Sequence, residues 1–160
     1  LLETAIGMGY TEVVEAFLSR GADPNLRDQD GRTLLIRAAL FDRPDIVRLL
    51  GKYKAKPDLK DNGDCTALMH AASSGRLDEV KTTRALLGIG ADPDVCDCSG
   101  KTALYRAERS GRAETAQLIR AASAARAALR AEALEEERQR DVVQRQERLK
   151  IRMPRVWIRS

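Results

Sequence analysis

Cys96 and Cys98 stand two residues apart with Asp97 between them, and thiolates at that spacing can share a Zn²⁺ ion. A closed structural zinc site needs four ligands. The sequence holds three cysteines and one histidine, so Cys65 and His70 are the remaining soft donors. In the repeat register set out below, Cys96 and Cys98 flank the start of a hairpin, where residue choice varies freely. No metal site is therefore expected. Catalysis lacks parts as well. With a single histidine, no Gly-rich phosphate loop and no paired acid/base constellation, no catalytic residue and no cofactor are expected, and the chain does not read as an enzyme. An odd cysteine count without framework spacing points to a reducing compartment, and so to an intracellular protein, cytoplasmic or nuclear.

The elements that position these residues follow a fixed beat. Asp28-Gln29-Asp30-Gly31-Arg32-Thr33-Leu34-Leu35 returns 33 residues on as Asp61-Asn62-Gly63-Asp64-Cys65-Thr66-Ala67-Leu68. It returns again, 36 residues further, as Asp97-Cys98-Ser99-Gly100-Lys101-Thr102-Ala103-Leu104. Gly21-Ala22-Asp23-Pro24, Ala55-Lys56-Pro57-Asp58 and Gly90-Ala91-Asp92-Pro93 keep the same time. Self-similarity at a fixed period means one supersecondary unit stacked on copies of itself. Apolar residues make up 43% of the chain and aromatics 4%, so the core must come from Leu, Val, Ile and Ala. No stretch approaches the roughly 20 apolar residues that span a bilayer, no charged-then-apolar leader opens the chain, and no membrane partner is expected.

Each period reads as a turn with Asp and usually Gly, a threonine, a short Ala-rich helix, a polar break, a second helix and a Pro-containing loop. Thr33, Thr66 and Thr102 precede the first helices, where a hydroxyl can satisfy orphan N–H groups. Ala38-Ala39 and Ala71-Ala72 let neighbouring helices approach closely. In the second helices Val13, Val14, Phe17 and Leu18 form one apolar face at helical spacing. Ile46, Val47, Leu49 and Leu50 form the next, introduced by Pro44 in a first turn that tolerates proline.

The order Asp-x-x-Gly-x-Thr-x-Leu, Ala-Ala, Gly, Val-Val, Leu-Leu, Gly-Ala-Asp-Pro resembles the ankyrin repeat, whose unit is about 33 residues with a T-P-L-H-x-A signature. The resemblance covers residues 1–121, drawn as repeats at about 1–27, 28–60, 61–96 and 97–121. Leu34, Ala67 and Ala103 occupy the signature's proline position, and Ile36, Met69 and Tyr105 its histidine position. His70 falls one place later and is not expected to inherit that histidine's bonding. The first repeat lacks its hairpin and threonine, so the chain reads as a fragment or as missing upstream residues. The third carries three extra residues, placed around Lys81-Thr82-Thr83. The implied fold is all-α: an ankyrin-type helix-turn-helix solenoid with short β-hairpin loops.

The resemblance also implies where partners bind, on the hairpin tips and the outer edge of the first helix. By register the tips give Gln29, Asp30 and Arg32, then Asn62 and Cys65, then Cys98, Ser99 and Lys101. The helix edge gives Met8, Leu40, Phe41, Ser73, Ser74, Arg109 and Ser110. An aromatic exposed on this edge is a typical anchor, and Phe41 is read either so or as packing under Arg43-Pro44. Asn25 resembles the loop asparagine that oxygen-dependent hydroxylases modify in some ankyrin proteins, whereas the matching positions hold Asp58 and Asp94.

After Gly111 the beat passes into one helical composition, with residues 122–153 as a charged Ala/Arg/Glu-rich helix and 154–160 as an extended tail. Leu118, Ala122, Ala125 and Leu129 could pack back on the last repeat. Beyond Leu134 the apolar residues are too irregular for a sustained heptad seam. The net charge of +4 belongs here: residues 112–160 hold 12 Lys/Arg against 7 Asp/Glu. This helix reads first as a solvated spacer or cap and second as a partner-binding element through Arg138, Arg140, Arg145, Arg148 and Trp157. Nucleic-acid contact comes third, because arginines neutralise phosphates but Glu135-Glu136-Glu137 interrupts them. The function expected is non-catalytic protein–protein recognition. The alternatives are a structural subunit of a large complex, ribonucleoprotein included, and the regulatory domain of a larger enzyme.

Overall fold

The computed structural model describes residues 2–76 and 79–152, with side chains to residue 150; Trp157 lies outside the described residues. Eight helices follow one another: α1 (Leu2–Met8), α2 (Thr11–Ser19), α3 (Leu34–Leu40), α4 (Pro44–Lys52), α5 (Ala67–Ser73), α6 (Glu79–Gly88), α7 (Ala103–Arg109) and α8 (Ala113–Arg152). The first helices α1, α3, α5 and α7 pack side by side, and α2, α4 and α6 form a second layer against them. Hairpin loops join each pair to the next. Among the described residues these hold isolated antiparallel bridges, Arg27 with Thr33 and Cys96 with Thr102, and no longer strand.

The threonines cap as their position demands. Thr33, Thr66 and Thr102 sit in extended backbone, and their hydroxyls accept the N–H of Ile36, Met69 and Tyr105 at 3.2, 3.4 and 3.3 Å. Each cap satisfies one orphan donor of its helix and stabilises it by about 1 kcal/mol. Pro44 opens α4. Ala38, Ala39, Ala71 and Ala72 are fully buried, so the first helices meet at small side chains as their composition implied.

Repeat position decides which apolar faces are covered. Ile46 and Leu50 of α4 are buried, whereas Val13 and Phe17, their register counterparts on α2, are 42% and 40% exposed. Helix α4 lies between α2 and α6, while α2 contacts α4 on one side only. An identical pattern thus yields two different burials.

The sequence places three extra residues around Lys81-Thr82-Thr83. Thr82 and Thr83 fall in register with Ile46 and Val47 and are themselves fully buried. Helix α6 has ten residues against nine in α4. Two hydroxyls therefore occupy core positions. Thr82 Oγ1 donates to Asp42 Oδ1. Thr115 Oγ1 donates to the buried Glu79 Oε1 at 3.2 Å, tying α8 to α6.

The chain divides into two compact units, residues 1–123 and 124–160. In the first, Thr115, Ala116 and Ile119 of α8 are buried and Leu118 and Ala122 half-buried. The burial thus falls one residue off the face the sequence nominated. In the second, Ala125 and Leu129 are exposed, and every side chain from Ala127 to Lys150 is exposed. No helix among the described residues is long and apolar enough to cross a membrane.

Candidate functional site

Each hairpin is built on one carboxylate. Asp28 Oδ1 accepts the backbone N–H of Asp30 and Arg32 at 2.9 and 2.8 Å. Asp61 Oδ1 accepts those of Gly63 and Cys65, both at 2.9 Å. Asp97 Oδ1 accepts those of Ser99 and Lys101 at 2.8 and 3.0 Å. The second oxygen meets a side chain nine residues on, from the following first helix. Arg37 Nη2 lies 2.6 Å from Asp28, His70 Nε2 2.7 Å from Asp61 and Arg106 Nη2 2.7 Å from Asp97. These struts lock the hairpin tip to its helix.

The carboxylates pay for their burial with donors, since their side chains are only 5–6% exposed. Burial pushes the Asp28 and Asp61 carboxyls up, but the N–H groups of Arg32 and Cys65, with Arg37 and His70, outweigh it and hold both below the ordinary 3.8. For Asp97 the Lys101 N–H and the Arg106 guanidinium bring the pKa to about 2. The arginine struts also reach back one repeat. Arg37 meets Glu3 at 3.2 Å, and Arg106 Nη2 donates to Cys65 Sγ at 3.1 Å.

A second set of bonds ties each hairpin to the next. Arg27 Nη1 donates to Lys60 O at 2.7 Å, and Lys60 Nζ to Cys96 O at 2.8 Å, one repeat later. Asn62 donates its N–H to Asp30 O at 3.0 Å and its side-chain amide to Gln29 O at 3.2 Å. Gly31, at φ +71°, makes room for this: a Cβ there would stand 2.3 Å from Asn62 Oδ1. Asn25 Oδ1 accepts Lys56 N–H at 2.8 Å, and Asp58 Oδ1 accepts Asp92 N–H at 2.8 Å. The half-buried Asn25 is thus a bridge between repeats.

On this scaffold Gln29, Asp30, Asn62, Cys98, Ser99 and Lys101 are exposed at the tips, and Arg32 is half-buried. Along the helix edge Met8, Ser73, Arg109 and Ser110 are exposed and Ser74 is half-buried. Three of the nominated residues sit differently from a free contact surface. Cys65 is buried, because its thiol turns in toward Gly63 O at 3.3 Å and Arg106. Leu40 packs against the core. Phe41 is half-buried, its ring facing Gly7 and lying under the Arg76 guanidinium at 6.0 Å. In the second unit Arg138, Arg140, Arg145 and Arg148 are all exposed.

Tyr105 was not among the nominated residues. It occupies the register of Ile36 and Met69, both fully buried, yet is 40% exposed with Lys101 Nζ 5.5 Å from its ring centre. Its position in α7 is the signal that finds it, since among the described residues no further first helix packs on α7. The struts were missed too, although Asp followed nine residues on by Arg, His and Arg is legible in every hairpin. Of the soft donors weighed for metal, Cys96 and Cys98 are exposed. Cys65 and His70 come together instead with Asp61, their donor atoms all within 4.8 Å of one another.

Paired short helices stacked in two layers, with hairpins joined edge to edge, define a helical repeat protein of the kind that presents an extended surface. The chain belongs to the ankyrin repeat family: a model of three ankyrin repeats matches residues 2–95 and again 57–131. Such arrays are generally protein–protein interaction modules. The chain is similar to an ankyrin repeat protein of Fowlpox virus (strain NVSL), 38% identical over 93 residues, covering 58% of this chain and 21% of that protein. It is similar to an ankyrin repeat protein of Rickettsia felis, 37% identical over 62 residues, covering 39% of this chain and 23% of the relative. An E3 ubiquitin-protein ligase of Drosophila melanogaster is 39% identical over 79 residues, 49% of this chain and 3% of the ligase. The chain therefore spans about a fifth of the first two relatives and far less of the third.

Proposed function

We propose that residues 1–121 form a non-catalytic recognition module that grips a protein partner with its hairpin tips and the adjoining first-helix edge. One observation carries this reading. The exposed tips Gln29, Asp30, Asn62, Ser99 and Lys101 stand on hairpins braced both to their own helices and to one another. A surface held in place before binding loses little conformational entropy on complex formation. Tyr105, Met8 and Lys101 supply the aromatic, apolar and cationic character found at interface anchors. The reading is tested by affinity capture with the full chain and with a tip variant, Gln29→Ala/Ser99→Ala/Lys101→Ala. A partner retained by the first and lost by the second, at equal melting temperature, supports it. Equal retention by both moves the contact elsewhere.

The exposed Arg138, Arg140, Arg145 and Arg148 favour a second contact through α8, in which the array docks one protein and the helix joins a larger complex. Repeating the capture with residues 1–121 alone separates the two contributions. An RNA or DNA complex unchanged from low to high salt excludes phosphate binding by these arginines. The share of the chain in its longer relatives supports a regulatory domain within a larger protein. We place it inside the cell on its odd number of cysteines and the lack of disulfide-framework spacing.

A further inference from the structure

We propose that Asp61, Cys65 and His70 bind a divalent transition ion of the Zn²⁺ class, with water completing the coordination. The donors are a carboxylate oxygen, a thiol sulfur and an imidazole nitrogen, all within 4.8 Å of one another. That set suits Zn²⁺, which accepts oxygen, nitrogen and sulfur ligands, and it excludes the hard Ca²⁺ and Mg²⁺, which take oxygen alone. Three protein ligands and one open position are the arrangement of an accessible zinc site. Bond lengths of about 2.0–2.3 Å place tetrahedral ligand atoms about 3.3–3.6 Å apart. The 2.7 Å contact between His70 Nε2 and Asp61 Oδ2 must open slightly and Cys65 Sγ must close in. Both movements are side-chain rotations.

The repeats themselves supply the comparison. Around the hairpin carboxylates Asp28 and Asp97, the position of Cys65 holds Arg32 and Lys101, and the position of His70 holds Arg37 and Arg106. Of these, Arg37 and Arg106 pair with the carboxylates, while Arg32 meets Asp30 and Lys101 lies over Tyr105; the middle repeat has metal-binding side chains at both positions. Both replacements surround the same carboxylate. A bound cation would restore the positive charge that the flanking repeats carry in their side chains.

The surroundings fit as an outer shell. Asp61 Oδ1 is fixed by the N–H groups of Gly63 and Cys65, so Oδ2, which faces His70 Nε2, is the oxygen that would bind the ion. Arg106 Nη2, 3.1 Å from Cys65 Sγ, would donate to the bound thiolate while its own charge is matched by Asp97 at 2.7 Å. Such partners orient ligands and tune affinity. On binding, the Cys65 S–H bond breaks, its proton leaves to solvent and the sulfur lone pair forms the metal bond.

Cobalt reports on this directly. The full chain, with thiols kept reduced, is titrated with Co²⁺ and followed by near-ultraviolet and visible absorption. Equimolar uptake with a thiolate-to-cobalt charge-transfer band and intense tetrahedral bands, reversed by Zn²⁺, is the expected result. Cys65→Ser should abolish the charge-transfer band. His70→Arg, which copies the strut of the flanking repeats and so preserves the hairpin, should weaken uptake by more than the roughly 10–100-fold that loss of an outer-shell partner costs. A Cys96→Ser/Cys98→Ser chain should bind as the natural one does. The proposal is overturned by absence of equimolar uptake in the natural chain, by uptake without the thiolate band, or by a band that vanishes in the Cys96→Ser/Cys98→Ser chain. These three outcomes need no variant of Cys65 to fold.

Discussion

His70 Nε2 meets Asp61 Oδ2 at 2.7 Å, in the place where Arg37 meets Asp28 at 2.6 Å and Arg106 meets Asp97 at 2.7 Å. Two chemically different side chains close the same nine-residue span. The guanidinium is the longer and has further donors, which Arg37 and Arg106 extend to Glu3 and Cys65. The flanking struts therefore couple neighbouring repeats as well as bracing their own hairpins. Replacing Arg106 by Ala takes the guanidinium from Asp97 Oδ2 and from Cys65 Sγ. A loss of about 1–3 kcal/mol is expected, the cost of an unsatisfied buried group, read from urea unfolding.

Acid should weaken the array. Asp97 has a folded pKa of about 2 against an ordinary 3.8, so folding favours its ionised form. That contribution is fully present above the unfolded pKa and is lost as pH falls through the folded one. The window thus runs from about pH 4 down to about pH 2. Asp28 and Asp61 are lowered in the same direction and steepen the decline. Melting temperature followed across this window should fall on acidification, and Asp97→Asn should flatten the curve. An Asp97→Asn chain with an unaltered slope would remove the strut from the account.

Thr83 offers a gain in stability. Its side chain is fully buried, its Oγ1 has no hydrogen-bond partner among the described residues, and its register matches Val47. Thr83→Val removes a desolvated hydroxyl while keeping the β-branched shape, so stabilisation of about 1 kcal/mol is expected. Thr82→Val should show no such gain, because Thr82 Oγ1 donates to Asp42. Calorimetry on both variants distinguishes them.

Gly51 reverses the usual logic of repeat consensus. Leu18 and Leu87 hold its register, which nominates leucine. A Cβ at Gly51, however, would stand 2.4 Å from Ile89 Cγ2. Overpacking of this kind costs about 1–3 kcal/mol, so Gly51→Leu should lower the unfolding midpoint. Gly51→Leu paired with Ile89→Ala should recover part of the loss, and a midpoint raised by Gly51→Leu alone would contradict the packing.

Phe41→Ala should lower the melting temperature through stability, since the ring fills space beside Gly7 and beneath Arg76. Full burial would set the cost at about 3–5 kcal/mol. A half-buried ring should lose less. Unchanged melting with lost partner affinity would return Phe41 to the role of anchor.

Periodicity alone carried the fold because each landmark is a local requirement. A threonine that caps, a proline in a first turn and an alanine pair at a helix crossing act through their nearest neighbours in the chain. The hairpin tips were legible for the same reason: Gln29, Asn62 and Ser99 follow from register. Cys65 was not, because the direction of its thiol depends on Arg106, 41 residues away.

The sequence by itself determined the repeat, its capping threonines, the exposed tips and the basic run that begins after Gly111. Tertiary structure decided what one register means at different places in the stack. Val13 is exposed where Ile46 is buried, and Tyr105 is exposed where Met69 is buried, because burial belongs to the neighbouring helix and not to the residue. It also decided that donor atoms of Asp61, Cys65 and His70 lie within 4.8 Å of one another. Spacing in the chain sets out candidate donors; only the packing of hairpin on helix brings their atoms within reach.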